Sequence, residues 1–541
     1  MHGIMQDWPL TTDKILEHAR LQNGTREVVT RRVGGKIVRT TYGDIYNRAK
    51  QVSNALKAGG IGLGDRVATL GWNSARHMES WYGTMGIGAI LHTVNPRLHP
   101  DQIAWILNHA EDKVLILDST FLPIIEAVKT KLETVKQFVI FADETDMPDN
   151  QLGAVAFDSW IANQSVDCRW GDFPEQTACG LCYTSGTTGN PKGVLYSHRS
   201  NVLHTLITMS KDAMGMGASD VVLPVVPMFH ANAWGLAFGC PATGASMVMP
   251  GAQMDGASIY ELLDTEKVTI TAAVPTVWLG LLNYLNENGL KLPHLRKVVI
   301  GGSAVPERIL RAFEEDFEVD VIHAWGMTET SPLGTLGTLP PHLEGADIDT
   351  RMAQKLKQGR PPFGVELKII DDAGQDLPRD GETSGRLMVR GPAIAAGYFK
   401  GDGGNVLDEE NWFDTGDVAN IDGHGTMQIT DRAKDVIKSG GEWISSIDIE
   451  NIAVGHPQVA NAAAIGIYHP KWDERPLLVI QPVAGEQPSK EDVLKILEGR
   501  IAKWWTPDDV AFVDEIPLGA TGKINKLALR ERFKDYKLPT A

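Results

Sequence analysis

The residues best suited to chemistry form one run, Tyr183-Thr184-Ser185-Gly186-Thr187-Thr188-Gly189-Asn190-Pro191-Lys192-Gly193. Glycines let backbone N–H groups approach an anion closely, hydroxyls add further donors, and a lysine supplies positive charge. That combination is what a polyphosphate needs. It is not a Walker A loop, in which the lysine follows a glycine and precedes Ser or Thr; here Lys192 precedes Gly193. A flexible linker is the bland alternative. It has no need of Pro191-Lys192-Gly193 leading straight into apolar Val194-Leu195-Tyr196. Other pairings drop out. Cys179 and Cys182 lie where a strand is expected, which separates their Cα atoms by about 10 Å, too far for a disulfide. There is no second C-x-x-C to complete a zinc site. Gly62-Leu63-Gly64 lacks the third glycine of a dinucleotide fingerprint, and none of the 15 histidines sits in H-E-x-x-H.

Further short motifs follow in a fixed order: Pro227-Met-Phe-His230, Gly301-Gly302-Ser303, Trp325-Gly-Met-Thr328-Glu329, Thr415-Gly416-Asp417, Asp431-Arg432-Ala-Lys434-Asp435, Lys438-Ser-Gly-Gly-Glu442 and Gly522-Lys523. With the phosphate loop they span nearly the whole chain. In type and order they resemble the AMP-forming adenylating enzymes: acyl-CoA synthetases, firefly-type luciferases and peptide-synthetase adenylation domains. Within that family the look is of fatty acyl-CoA synthetases and methylmercaptopropionate-CoA ligases.

The resemblance implies ATP, Mg²⁺ and CoA as cofactors, AMP as a product and a small carboxylic acid as substrate. The acid would attack the α-phosphate of ATP, so catalysis is mainly positioning and charge neutralisation. Glu329 would hold Mg²⁺, a hard ion that takes oxygen ligands, with Thr184 a further candidate for the metal. Thr328 would bond the α-phosphate, Trp325 would offer a face to adenine, and Asp417 and Arg432 would meet the ribose. The nucleotide-side set also takes in Ser185, Gly186, Thr187, Thr188, Gly189, Lys192, Gly302, Ser303, His323, Ala324, Gly326 and Met327. Seen alone, Glu329 reads as a helix-start carboxylate, Trp325 as core and Asp417 as a turn residue. Lys523 in LGATGKIN reads alone as a solvated lysine; the resemblance makes it the cation bridging carboxylate and ATP. In the second half-reaction the C-terminal domain would turn about Lys434. Lys523 would leave, and Lys438, Gly440, Gly441 and Glu442 would arrive with CoA. His230, Trp234, Gly301 and Pro332 would line the acyl pocket. His230 and Trp234 are four apart, so on a helix they would share a face; Trp234 would cap a short pocket or gate a longer one.

These residues need a scaffold. Residues 38–58 show apolar spacing of helical period. GDRVATLGW, HMESWYGTMGIGAILHTVN and QIAWILNHAEDKVLILD then alternate strand and helix patterns. The theme returns over residues 221–306, as in parallel sheets covered by helices with ligands at the strand ends. After about residue 360, VELKIID, GRLMVRG and GTMQITD read as a small antiparallel sheet or barrel. The expected fold is α/β: an N-terminal domain of residues 1–431 with two doubly wound sheets plus a small distorted β-barrel (about 360–431). A hinge at 432–434 and a small mobile α+β C-terminal domain (435–541) follow. Length supports several units at about 100–200 residues each. Lys plus Arg is 51 and Asp plus Glu 68, a net charge of −17, which argues against nucleic acid as partner. Four cysteines and no secretory signal point to the cytoplasm. VTITAAVPTVWLGLL is shorter than the about 18 residues of a membrane span and reads as buried core.

The sequence therefore reads as an AMP-forming acyl-CoA ligase for a short or medium acid, 3-methylmercaptopropionate in the lead, with a medium- or long-chain fatty acid as alternative. A non-catalytic adenylate sensor on the same fold is opposed by the presence of Lys523, Glu329 and Asp417. Similar synthetases are often dimers, which implies a homodimer.

Overall fold

Short runs rich in Val, Ile and Leu become strands buried on both faces, as parallel sheets demand. The computed structural model describes residues 3–184, 190–440, 442–519 and 523–541. The first sheet runs in the order Val155–Ala156, Gln137–Ile140, Val114–Leu117, Arg66–Leu70, Ile90–Thr93, Ala178–Tyr183, Gly193–Ser197. All neighbours are parallel except the last pair, which flanks the phosphate loop. The second sheet runs Leu333–Leu336, Asp320–Gly326, Lys297–Gly301, Ile270–Ala273, Val221–Pro224, Ser246–Met249, Glu27–Arg31, Ile37–Thr41. Only its two edge pairings are antiparallel. This is the expected pair of wound sheets.

Between the sheets lies the helix Ala75–Gly86, buried along its whole length. Three of its polar side chains are paired in the interior: Arg76 with Asp158, His77 with Thr69 and Glu79 with Arg48. Met78, Trp81 and Met85 join Val28, Val222 and Val299 of the second sheet and Leu91 of the first in one apolar core. The apolar run 268–282 divides into the buried strand Ile270–Ala273 and the helix Pro275–Asn288. Among the described residues no helix is long and apolar enough to cross a membrane.

A third sheet is antiparallel, in the order Glu366–Ile370, Gly385–Arg390, Phe413–Ile421, Met427–Arg432. Gly359 pairs with Met427 and Arg360 with Leu336, so this sheet's edge is tied to the second sheet. Then comes an α+β unit. Glu442–Ile444, Ile437–Ser439, Asp473–Pro482 and Val459–His469 form a sheet, and Asp509–Phe512 adds parallel to Asp473–Pro482. Apolar clusters cover both of its faces, one under the helix Ser446–Ala453 and one under Lys526–Arg532. At the junction, the Asp431 carboxylate accepts the Ser446 amide at 2.7 Å, at the start of that first helix. Arg530 donates to the carbonyls of Lys434 and Asp435 at 2.6 and 3.1 Å.

Candidate active site

Two neighbouring parallel strands, Lys297–Gly301 and Asp320–Gly326, end side by side with Gly301 opposite Ala324. Their C-terminal ends deliver Gly302-Ser303 and Gly326-Met327-Thr328-Glu329 to one edge of the second sheet. Ligands of open α/β sheets bind at such carboxyl ends. Trp325 points into the third sheet and packs with Leu367, Leu387 and Phe413. A Cβ on Gly334 would stand 2.2 Å from the indole, so only glycine fits beneath it. The Trp325 ring N–H donates to Asp417 Oδ2 at 2.9 Å. Trp325 is 8% exposed, and its ring N–H holds Asp417 in place. His323 lies two residues earlier on the same strand. Its ring is buried, pushed down to about 4 by that burial, and bonds the carbonyl of Leu356 at 2.9 Å. The same ring meets the backbone of Ser303, so its side chain supports the strand end that carries Gly302-Ser303.

The charged centre joins three parts of the chain. Asp417 and Arg432 are cross-strand partners in the third sheet, with Nε 3.6 Å from Oδ1. Glu329 is buried, which raises its carboxyl above the usual range, and its Oε1 accepts the Tyr398 hydroxyl at 2.7 Å. From the C-terminal unit, Lys523 reaches this centre. Burial pushes its ammonium down to about 8; Arg432 and Lys434 add to that, while Asp417 and Glu329 oppose it. His230 is held neutral, at about 4, first by burial and then by the nearby charges of Lys523 and Arg97. Lys523, Glu329, Asp417, Arg432 and His230 thus gather around one space.

Thr184 closes the base of the phosphate loop. Its amide donates to the Lys192 carbonyl at 2.9 Å, and its hydroxyl accepts the Lys192 amide at 3.3 Å. The Lys192 ammonium lies 4.9 Å from the centre of the Tyr398 ring. Ser185, Gly186, Thr187, Thr188 and Gly189 lie outside the described residues, as do Gly441 and Gly522. Of Glu442 the structure describes the backbone, in a strand beside Ser439. Lys438 gives its amide to Glu474, and Gly440, at φ +60°, gives its amide to the carbonyl of Trp472. Both bonds lie within the C-terminal sheet. Lys523 thus feels the charges of Asp417 and Glu329, while Lys438 and Gly440 are engaged within their own unit.

On the acyl side one expectation fails. Residues Ala231–Gly235 form a tight turn in which Ala231, Asn232, Ala233 and Trp234 all have φ between 40 and 60°. His230 itself is extended, so His230 and Trp234 do not share the face of a right-handed helix. Such left-handed geometry costs about 1–2 kcal/mol per residue. Backbone groups of Ala231 and Asn232 meet the Cys182 thiol, and the Asn232 amide reaches Asn201 at 3.5 Å. The turn lays the Trp234 ring against Gly301, whose Cβ would stand 3.2 Å from the indole. Pro332 is buried nearby in sequence to the Glu329 turn, its carbonyl accepting the Met327 amide at 3.0 Å.

Two residues here had no motif to announce them. Arg97 follows the strand Ile90–Thr93, a strand-end position that could have flagged it. Tyr398 sits in Ala395-Ala396-Gly397-Tyr398, an apolar stretch that reads as packing. Metal fit is specific. Among the described residues no group of three or more His, Cys, Asp or Glu forms a cage. Of the site's two buried carboxylates, Asp417 is engaged by Trp325 and Arg432, which leaves Glu329 for the metal, and Mg²⁺ characteristically binds through one or two carboxylates plus substrate phosphates. A cavity of about 190 Å³ elsewhere is lined by Arg31, Arg32, Arg48 and Arg76. Carboxylates already pair each of these arginines.

The AMP-binding enzyme family model matches residues 16–399, and the AMP-binding enzyme C-terminal domain matches 448–523. A 3-methylmercaptopropionyl-CoA ligase of Ruegeria lacuscaerulensis is 48% identical over 536 residues, 99% of each chain. A medium-chain-fatty-acid–CoA ligase of Ectopseudomonas oleovorans is 46% identical over 539 residues, 99% of this chain and 98% of the other. The crystal structure of an anthranilate CoA ligase in complex with anthranoyl-AMP superposes with a TM-score of 0.86 at 28% identity, covering 98% of this chain and 99% of that one.

Proposed function

The chain belongs to the AMP-binding enzyme family and is an AMP-forming acyl-CoA ligase, and we propose that the acid it activates is 3-methylmercaptopropionate or another short to medium acid. A carboxylate oxygen attacks the α-phosphorus of ATP, the α–β bridging P–O bond breaks, and pyrophosphate leaves. The CoA sulfur, losing its proton, then attacks the acyl carbon, and AMP departs with the C–O electron pair.

The observation that supports the reading is the charged centre itself, Glu329 held by Tyr398 and Asp417 held by Trp325 and Arg432, within electrostatic reach of Lys523. The Lys523 ammonium lowers the cost of bringing a carboxylate to a polyphosphate. Asp417, fixed by the Trp325 N–H, presents its free acceptor capacity to the ribose with Arg432 alongside. Lys192 meets the leaving pyrophosphate, and the Thr328 hydroxyl meets the α-phosphate. Magnesium, bound at Glu329, would neutralise charge on the phosphate oxygens. His230, neutral and poor in charge, borders an acyl space closed by Trp234, Gly301 and Pro332. For thioester formation, the C-terminal unit turns about Lys434, exchanging Lys523 for Lys438 and Gly440. A cytoplasmic homodimer completes the proposal.

The likeness to the medium-chain ligase favours one second reading, a longer fatty acid. A panel of straight acids from short to long, with methylthio acids beside them, separates the two by kcat/KM. A maximum at the methylthio acid supports the proposal. A maximum that climbs with chain length overturns it.

A further inference from the structure

The turn Thr328–Ser331 is clamped by one segment of the chain. Ser331 Oγ donates to the Ala393 carbonyl at 2.6 Å, and the Ala395 amide donates to the Glu329 carbonyl at 2.8 Å. The third contact is the Tyr398 hydroxyl to Glu329 Oε1 at 2.7 Å. The same tyrosine ring faces the Lys192 ammonium at 4.9 Å. Its loop then wraps that lysine, since a Cβ on Gly403 would stand 2.8 Å from Nζ. A buried carboxylate is free to rotate about its terminal torsion unless something pins it. Tyr398 pins one oxygen and leaves the other to a cation. A lysine side chain has several rotatable bonds, and a ring beneath its ammonium narrows where the charge can sit.

We propose that Tyr398 is a positioning residue that sets, from one side chain, both the metal-facing carboxylate of Glu329 and the phosphate-facing ammonium of Lys192. The inference rests on the reading of Glu329 as the carboxylate that meets magnesium. Its two contacts are separable by substitution: Tyr398→Phe removes only the hydroxyl, and Tyr398→Leu removes the ring as well.

The test is calorimetric binding of α,β-methylene ATP to the full chain, with magnesium and with EDTA, so no turnover enters. In the parent, magnesium tightens binding by some factor. In Tyr398→Phe that factor falls about tenfold, the worth of a hydrogen bond to a charged group, while binding in EDTA is unchanged. In Tyr398→Leu the EDTA binding weakens as well, by about two- to fivefold. Glu329→Gln abolishes the magnesium effect, and adding Tyr398→Phe to it changes nothing more. If Tyr398→Phe leaves the magnesium factor untouched, or weakens both conditions equally, the role of Tyr398 is refuted while that of Glu329 stands. If Glu329→Gln keeps the magnesium effect, the reading of Glu329 fails and this inference with it.

Discussion

Raising the pH should switch off adenylation through one residue. Burial brings the Lys523 ammonium down to about 8, and its contribution requires the proton. The sign is clear: above that value the lysine becomes neutral and its stabilisation of the developing anion is lost. Since kcat/KM reports groups in the free enzyme, its falling limb should centre near pH 8, leaving about a tenth of the plateau one pH unit higher. A lysine at its ordinary value would keep nearly all of it there. Bound ATP and acid add negative charge around the ammonium, so the limb in kcat should lie at higher pH than that in kcat/KM. The assay is pyrophosphate release at low and at saturating acid, with magnesium in fixed excess, across pH 6.5 to about 9.5, a window that brackets the shifted group. Lys523→Arg should lower the plateau yet erase the limb, because guanidinium stays charged. An unchanged limb in Lys523→Arg, or none below about pH 9.5, would refute the reasoning.

Three further outcomes follow from the geometry. Lys192→Ala should cut kcat/KM for ATP by at least about tenfold, roughly 1.4 kcal/mol, without altering acid preference; unchanged ATP dependence would remove the loop from the leaving-group site. Trp234→Ala should open space beside Gly301 and shift preference to longer acids, at about 0.8 kcal/mol per newly buried CH₂, and a preference that stays or shortens would place the ring away from the acyl end. Gly334→Ala drives a methyl to 2.2 Å from the Trp325 ring and should loosen the 2.9 Å bond to Asp417. Overpacking there should cost about 1–3 kcal/mol in thermal unfolding and raise KM for ATP; a variant with parental KM would sever Trp325 from nucleotide binding.

The two wound sheets were legible because buried parallel strands read as apolar runs, such as VLIL at Val114–Leu117 or KVVIG at Lys297–Gly301. The strand Phe413–Ile421 was not. Its first half, Phe-Asp-Thr-Gly-Asp, is polar and broken by glycine, since there it forms the site edge rather than packing a core. The left-handed turn at Ala231–Gly235 had no local signal, because four non-glycine residues occupy it and tertiary contacts hold it. Packing also decided Trp325, whose partner glycine at 334 lies on a neighbouring strand. The approach of Lys523 to Glu329 and Asp417 joins parts of the chain far apart in sequence; residue type alone left that lysine in solvent, and only the family likeness of its motif brought it in. Tyr398 shows the converse limit: an aromatic in an apolar stretch looks like core until its hydroxyl is seen to end on Glu329.

The most direct test of the account separates the half-reactions in Lys523→Ala. Pyrophosphate release from ATP and acid should fall by about 10²–10³, or 3–4 kcal/mol, the cost of one lost contact at a developing anion. The same variant, given pre-formed acyl-adenylate and CoA, should make acyl-CoA within about tenfold of the parent, since the lysine stabilises only the first transition state. Equal loss in both half-reactions would make Lys523 a structural residue, and intact adenylation would remove it from catalysis.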